Sequence, residues 1–245
     1  MKLASAFARV PDSPSQASAT NAFFDRATAG RALGAELAEY RYRDDILVLG
    51  LPRGGVPVAA ELAETLDAPL DVMVVRKLGM MGQPEFTIGA LASGGNIIIT
   101  NGILGACESP AMLLAEIARQ RAELQRCEAL YRNDHLPLDV RGRVVILVDD
   151  GARTGVKMRA AIRAVRKLHA KRVIVALPVA SSSAFLALRD EADEMICLLT
   201  SADFHCVAEW YQAFEQTTDT EVATRLALAR QRYQHAVSMR AGCDA

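Results

Sequence analysis

The sequence predicts an α/β protein: a single doubly wound, mostly parallel sheet flanked by helices. Three observations carry this. Apolar runs of three to five residues recur along the chain, rich in Val, Ile and Leu and without polar alternation, as in strands covered on both faces. Segments with apolar residues at helical spacing separate most of them, which gives right-handed βαβ units. The chain has 245 residues, is 51% hydrophobic and 23% charged, and shows no repeat and no clear linker, so it can supply one full core.

In chain order, residues 1–21 are rich in Ser, Ala and Pro, lack a period and read as a flexible tail. A helix carrying Leu33, Leu37 and Tyr40 follows, then the strand Ile46–Leu49. Leu51-Pro52-Arg53-Gly54-Gly55 is a turn, and Pro57 suits the first position of a helix whose apolar face is Val58, Leu62 and Leu66. The next strand, Val72–Val75, runs into Arg76-Lys77. From about 78 to 96 the chain holds Gly79, Gly82, Gly89, Gly94 and Gly95, and two readings stand. One is a mobile flap or loose hairpin; the other is a pair of ordinary strands, since Phe86, Ile88 and Ala90 alternate. Ile97–Ile99 is a short strand.

Ser109 and Pro110 open a long helix with an N-cap and a first-turn proline. Its stripe is Leu113, Ile117, Leu124, Cys127 and Tyr131. Arg119 with Glu123 and Glu128 with Arg132 form (i, i+4) pairs on a solvated face. Val144–Val148 is a fully buried strand leading through Asp149-Asp150-Gly151-Ala152-Arg153-Thr154-Gly155 into a helix from about Val156 to His169. Val173–Leu177 is a strand closed by Pro178, Ser183–Ala192 a helix, and Met195–Leu199 a strand. The three aromatics Trp210, Tyr211 and Phe214 precede a last helix, about Glu221 to Met239, which with its tail makes up 221–245.

Composition excludes several classes. Net charge is -1, with 28 Lys+Arg against 29 Asp+Glu, so there is no global attraction to nucleic acid or an anionic membrane, and any anion site is local. No apolar run approaches the ~20 residues of a membrane span. The N-terminus does not read as a signal peptide, because Arg9 and Pro11-Asp12-Ser13 break its apolar stretch. The 5 cysteines are odd in number and lack metal spacing, which reads as reduced thiols in the cytosol. His135, His169, His205 and His235 are scattered and lack zinc spacing.

Ligands of parallel sheets bind at the carboxyl ends of strands, and three ends here carry chemistry. Arg53-Gly54-Gly55 lets backbone amides approach an anion, with a guanidinium beside them. Arg76-Lys77 places two cations together. Asp149 to Lys157 joins two carboxylates, a glycine turn and a helix N-terminus; amides and dipole attract a phosphate there, while the acids accept from hydroxyls or help hold a hard cation. Each end alone also reads as an ordinary solvated turn. The chain lacks a P-loop, a dinucleotide fingerprint and the Asp-x-Asp-x-Thr of aspartyl-phosphate phosphatases, and Ser93 is not in a nucleophile elbow.

Val144–Lys157 resembles the phosphoribosyl diphosphate (PRPP) signature of the type I phosphoribosyltransferases. Leu51–Ala59, Arg76-Lys77-Leu78-Gly79, Pro84-Glu85 and Glu209-Trp210-Tyr211 resemble a bacterial subgroup of that family with unassigned substrate. The resemblance spans about Phe24 to Glu221. It implies a domain over 22–220 with a flap near 78–96, including Pro84 and Glu85, and a hood near 200–220. It implies that Asp149 and Asp150 bind the ribose hydroxyls and, mostly through PRPP and water, Mg²⁺. It implies that Gly151, Ala152, Arg153, Thr154, Gly155, Val156 and Lys157 wrap the 5′-phosphate. Arg53, Gly54 and Gly55 would form the pyrophosphate loop, with Arg76 and Lys77 against the pyrophosphate. Trp210 and Tyr211 would stack a base, with plain hood packing as the simpler alternative. The implied activity is Mg²⁺-dependent transfer of ribose 5-phosphate from PRPP to a nitrogenous base, of nucleotide-salvage type, in the cytoplasm. Partners are PRPP and a small base or nucleoside monophosphate, with room for a homodimer and none for nucleic acid or membrane. Two residues depart from the pattern: Lys157 replaces a usual Thr or Ser, and Arg153 a small residue or an acid. Their charge keeps open a PRPP or nucleotide sensor without turnover, and the pocket also admits a phosphohydrolase of a phosphorylated sugar.

Overall fold

The structure, a computed structural model, describes residues 7–9, 22–80, 83–94, 96–99, 110–132 and 138–243. Its strands are β1 (Phe7–Arg9), β2 (Ile46–Gly50), β3 (Leu70–Val72), β4 (Val75–Met80), β5 (Gln83–Ala92), β6 (Asn96–Ile99), β7 (Val144–Val148), β8 (Arg172–Ser181) and β9 (Glu194–Ser201). Its α-helices are α1 (Arg26–Glu36), α2 (Gly55–Leu66), α3 (Pro110–Arg132), α4 (Val156–Lys167), α5 (Ser182–Arg189) and α6 (Asp219–Cys243).

The main sheet runs β1-β9-β8-β7-β2-β3, and every neighbouring pair in it is parallel. Period-two side-chain alternation divides its core into two layers. Val144, Ile146 and Val148 of β7 face Leu62 of α2, Leu124 of α3 and Leu226 of α6, whereas Val145 and Leu147 face Ile162 of α4 and Leu188 of α5. This is why the apolar runs show no alternation: both faces are covered. The winding then fixes where a ligand can sit. From β2 the chain passes through α2 to β3 at one edge. From β7 it passes through α4, β8 and α5 toward the other. The two adjacent strands β2 and β7 thus send their helices to opposite faces, and their carboxyl ends open a crevice at the switch point.

Several expectations are corrected. The strand expected over 72–75 divides: β3 stops at Val72, and Met73-Val74 turns the chain into a second, antiparallel sheet of order β4-β5-β6. Ser93 holds that turn, its Oγ accepting from the Val74 amide at 3.1 Å. Over 78–96 β4 and β5 pair as an antiparallel hairpin, which accords with the strand reading and with the hairpin form of the other, with register shifts at Leu78/Gly79 and Gly79/Met80; residues 81–82 and 95 lie outside the described set. Pro178 does not close its strand. β8 continues to Ser181 because β9 pairs it from Val179 to Ser181, while Ala152 bridges Ala180 on the other side beyond the end of β7.

Within the stretch read as a tail, Phe7–Arg9 adds to the open edge of β9, where unpaired backbone groups await a partner. The rest of 1–21 is outside the described residues. The boundary set at 221 falls inside α6, which begins at Asp219 and buries Val222, Leu226 and Ala229 in the main core. Ser109, the expected cap of α3, is also outside the described residues. The solvated face of α3 is only partly so: Arg132 is buried and reaches Asp71 and the Val72 carbonyl, while Arg119 pairs with Glu116, not Glu123. Among the described residues no helix is long and apolar enough to cross a membrane.

Candidate active site

At the end of β7, Asp149 is only 6% exposed. Its Oδ1 accepts the Asp150 amide at 3.1 Å, and its Oδ2 lies 3.2 Å from Lys157 Nζ. Burial pushes the Asp149 carboxyl up to about 6, against the opposing Lys157 ammonium and with help from the Asp150 charge. Burial would lower the Lys157 pKa, but the charges of Asp149 and Asp150 outweigh it and hold it above its ordinary value. The sign follows. An acid whose pKa rises from 3.8 to about 6 on folding is favoured in its neutral form, so ionising it costs stability as pH climbs through that window. A ligand that needs the carboxylate should therefore bind with constant affinity above about pH 7 and more weakly below about pH 6. Titrating affinity against pH in the native chain and in Asp149→Asn checks this. An identical pH profile in both would remove Asp149 as the source.

The loop that follows turns its carbonyls away from the crevice. Tyr211 Oη donates to the Asp150 carbonyl at 2.6 Å, the Ser181 amide to Ala152 O at 2.9 Å, and Ser181 Oγ to Arg153 O at 2.7 Å. Gly151 has to be glycine, since a Cβ would meet Val207 Cγ1 at 2.9 Å and Val179 Cγ1 at 3.0 Å. Gly155, at φ +69°, starts α4 without a side-chain cap. The first-turn amides of α4 thus lack intrahelical partners and face the cavity together with the helix dipole, which is a seat for an anion. The cavity measures about 670 Å³ and is lined by Asp149 to Met158, Lys77 and Val207. Thr154 and Arg153 are exposed at its mouth, and Arg153 reaches the His205 carbonyl only at 3.5 Å.

On the other side stands the loop after β2. Gly54 and Gly55 press against the acids: a Cβ on Gly54 would lie 1.9 Å from Asp150 Oδ2, and one on Gly55 2.8 Å from Asp149 Cα. The start of α2, like that of α4, has no side-chain cap, but its Gly55 and Val56 amides are taken by the Leu51 and Arg53 carbonyls and Pro57 has none to offer, so α2 brings its positive dipole end to the acid pair and α4 alone brings free amides. The two cations of β4 part company. Lys77 faces the 670 Å³ cavity, whereas Arg76, one residue earlier and so on the opposite face, donates to Gln120 Oε1 at 3.0 Å. Arg76 and Arg53 line a neighbouring cavity of about 380 Å³ with Arg126 and Asp219, the latter 3.8 Å from Arg53. Pro52 borders that second cavity, and its carbonyl reaches toward Lys157 at 3.4 Å.

Of the two readings of Trp210 and Tyr211, base stacking and hood packing, the geometry supports packing. Trp210 is fully buried and packs on Phe204 with ring centroids 5.8 Å apart, so it presents no face to a ligand. Tyr211 is also buried, and its hydroxyl is spent on the loop. Pro84 and Glu85 fall in β5, but their side chains lie outside the described residues.

One site residue escapes the sequence reading. Arg26, at the start of α1, donates from Nε and Nη2 to Asp150 Oδ2 at 3.0 and 2.9 Å, and from Nη1 to Glu215 O at 2.7 Å. Its guanidinium lies 3.8 Å over the Phe214 ring. The segment before it is tied to the aromatic cluster, with the Phe23 amide on Trp210 O and the Gln212 amide on Phe23 O. Nothing local marks Arg26; it is one arginine after a helix cap, 124 residues from its partner.

An uncapped anion seat thus lies beside two acids at the switch point of a parallel α/β sheet, where such folds bind their ligands. Residues 24–213 match the family described as Phosphoribosyl transferase domain, so the chain belongs to the phosphoribosyl transferase family. It is 38% identical over 223 residues to two Mycobacterium tuberculosis proteins, "Putative phosphoribosyl transferase MT0597" of strain CDC 1551 / Oshkosh and "Putative phosphoribosyl transferase Rv0571c" of strain ATCC 25618 / H37Rv. The match covers 91% of this chain and 50% of each, so the chain spans about half the length of the curated relatives it matches. It is also similar to the crystal structure of TT1426 from Thermus thermophilus. There the TM-score is 0.72 at 40% identity, covering 83% of this chain and 97% of that one.

Proposed function

We propose that this chain binds PRPP at the crevice between β2 and β7 and transfers its ribose 5-phosphate to a small nitrogenous base, releasing pyrophosphate, in cytoplasmic nucleotide salvage. The single observation that carries the reading is the uncapped N-terminus of α4 opening beside the pair Asp149 and Asp150, against which the Gly54-Gly55 loop is pressed. In this reading the amides of Gly155 to Lys157 take the 5′-phosphate and the acids accept from the ribose hydroxyls. The diphosphate lies toward Gly54, Gly55 and Lys77, with Arg53 and Arg76 beyond. The C1′–O bond breaks with its electron pair leaving on the diphosphate, and the lone pair of the base nitrogen forms the new C1′–N bond as that nitrogen gives its proton to a diphosphate oxygen or to solvent. The positive helix ends and Lys77 stabilise charge gathering on the leaving group; one well-placed donor of this kind is worth about 2.7–4 kcal/mol. With Trp210 and Tyr211 buried, base selection falls to the surface around Arg26 and Phe214, beside the acids.

Enzymes of this family typically use Mg²⁺ with PRPP. A hard cation seeks several free oxygens. Of the four carboxylate oxygens of the pair, only Asp150 Oδ1 accepts no hydrogen bond among the described residues; the others hold the Asp150 amide, Lys157 and Arg26. The pair itself therefore does not fit a metal seat, and no step above runs through one.

The test is pyrophosphate release from PRPP across a panel of purine and pyrimidine bases, with and without Mg²⁺. Release that depends on one base is expected. Tight PRPP binding without release would favour a sensor, a reading supported by both acids being already ion-paired, Asp149 with Lys157 and Asp150 with Arg26. Inorganic phosphate released without any base would identify a phosphohydrolase.

A further inference from the structure

Each acid of the site is matched by a cation of this chain, and one match has an unusual donor set. Lys157 leaves the first turn of α4 and reaches back to Asp149 Oδ2 at 3.2 Å and to the Pro52 carbonyl at 3.4 Å. A carboxylate and a backbone carbonyl on two loops that meet at a crevice are what a hard metal ion would take. Here an ammonium bridges them. It has three donors, and these two contacts leave one for a ligand oxygen. Arg26 completes the balance at Asp150, so two carboxylates face two resident cations and the pair is neutral before any ion arrives. A divalent ion brought to Asp149 would have to displace Lys157, whose ammonium Asp149 and Asp150 hold in its charged form.

Resting on the phosphoribosyl reading above, we propose that Lys157 is the built-in cation of this site: it joins Asp149 to the loop after β2 and presents its remaining donor to the bound sugar phosphate, so PRPP binds without a divalent metal at the acid pair. A corollary separates this from a simple structural salt bridge. Removing the ammonium frees Asp149 Oδ2 and the Pro52 carbonyl together, and these make a metal seat where none stood. Binding that needs no metal should then become binding that does.

The experiment is calorimetric titration of PRPP into the full chain, in EDTA and in Mg²⁺, for the native protein, Lys157→Thr and Lys157→Arg. The native protein and Lys157→Arg should each bind equally in the two buffers, to within about threefold. Lys157→Thr should weaken about tenfold or more in EDTA, the loss of one charge-assisted contact, and recover most of it in Mg²⁺. Native binding that collapses in EDTA overturns the proposal and leaves the phosphoribosyl reading standing. So does a Lys157→Thr protein indistinguishable from native in both buffers. Failure of the native chain to bind PRPP in either buffer overturns both. If Lys157→Thr does not fold, the native comparison decides alone.

Discussion

Arg26→Met lowers the stability of this protein by about 2–4 kcal/mol, seen as a fall in Tm of roughly 5–15 °C. The magnitude comes from what is left behind. Arg26 and Asp150 side chains are 12% and 15% exposed, so neither charge is well solvated, and two N–H groups of the guanidinium converge on one oxygen of Asp150. Removing the arginine leaves a poorly hydrated carboxylate, pressed by Gly54 on one side and sharing its backbone with Asp149. The loss exceeds that of a surface ion pair, which is worth at most about 1 kcal/mol. Asp150→Asn in the Arg26→Met background should return part of it, because the orphaned charge is gone; strict additivity of the two changes would sink the argument. Arg26→Met should also weaken PRPP binding, since the same guanidinium ties the Phe214 ring and the Glu215 carbonyl to the acid pair.

Arg26 also marks where sequence reading stops. The strands β2 and β7 are legible because burial on both faces needs an unbroken apolar run, and turn residues bound each run. The acid pair and both loops are legible for the same local reason: their chemistry is contiguous. Partnerships across the fold are not. Lys157 reads from sequence as a phosphate ligand, and only the approach of the loop after β2 reveals its contact with the Pro52 carbonyl. Trp210 and Tyr211 read as a stacking platform or as packing, and the docking of Phe23 beside them is what shows that they pack. Arg76 and Lys77 lie between these cases. Their opposite directions follow from period-two alternation, but that rule applies only once 75–80 is known to be a strand, and the glycines after Leu78 conceal it.

Gly55→Ala carries the second large effect, and comparing it with Gly54→Ala locates the site on the β2 loop. A Cβ on Gly55 would meet backbone: Val148 O at 2.7 Å and Asp149 Cα at 2.8 Å, then Asp149 Oδ1 at 2.9 Å. These atoms belong to the end of β7, buried on both faces, and cannot retreat. The start of α2 must move instead, opening the crevice that the two helix N-termini share. Overpacking of this kind costs about 1–3 kcal/mol of stability. Binding should suffer more, because a shift of about 1 Å at a positioned site can cost on the order of 100-fold. On Gly54 the added Cβ meets a side chain, Asp150 Oδ2 at 1.9 Å. That carboxylate can rotate with the Arg26 guanidinium following it, so Gly54→Ala should keep more of the stability while displacing an acid of the site and weakening PRPP binding. Thermal unfolding and PRPP calorimetry on both variants test the contrast. Equal losses of stability would mean that the end of β7 yields as easily as a side chain, and that the crevice is not held rigid by the strand beneath it.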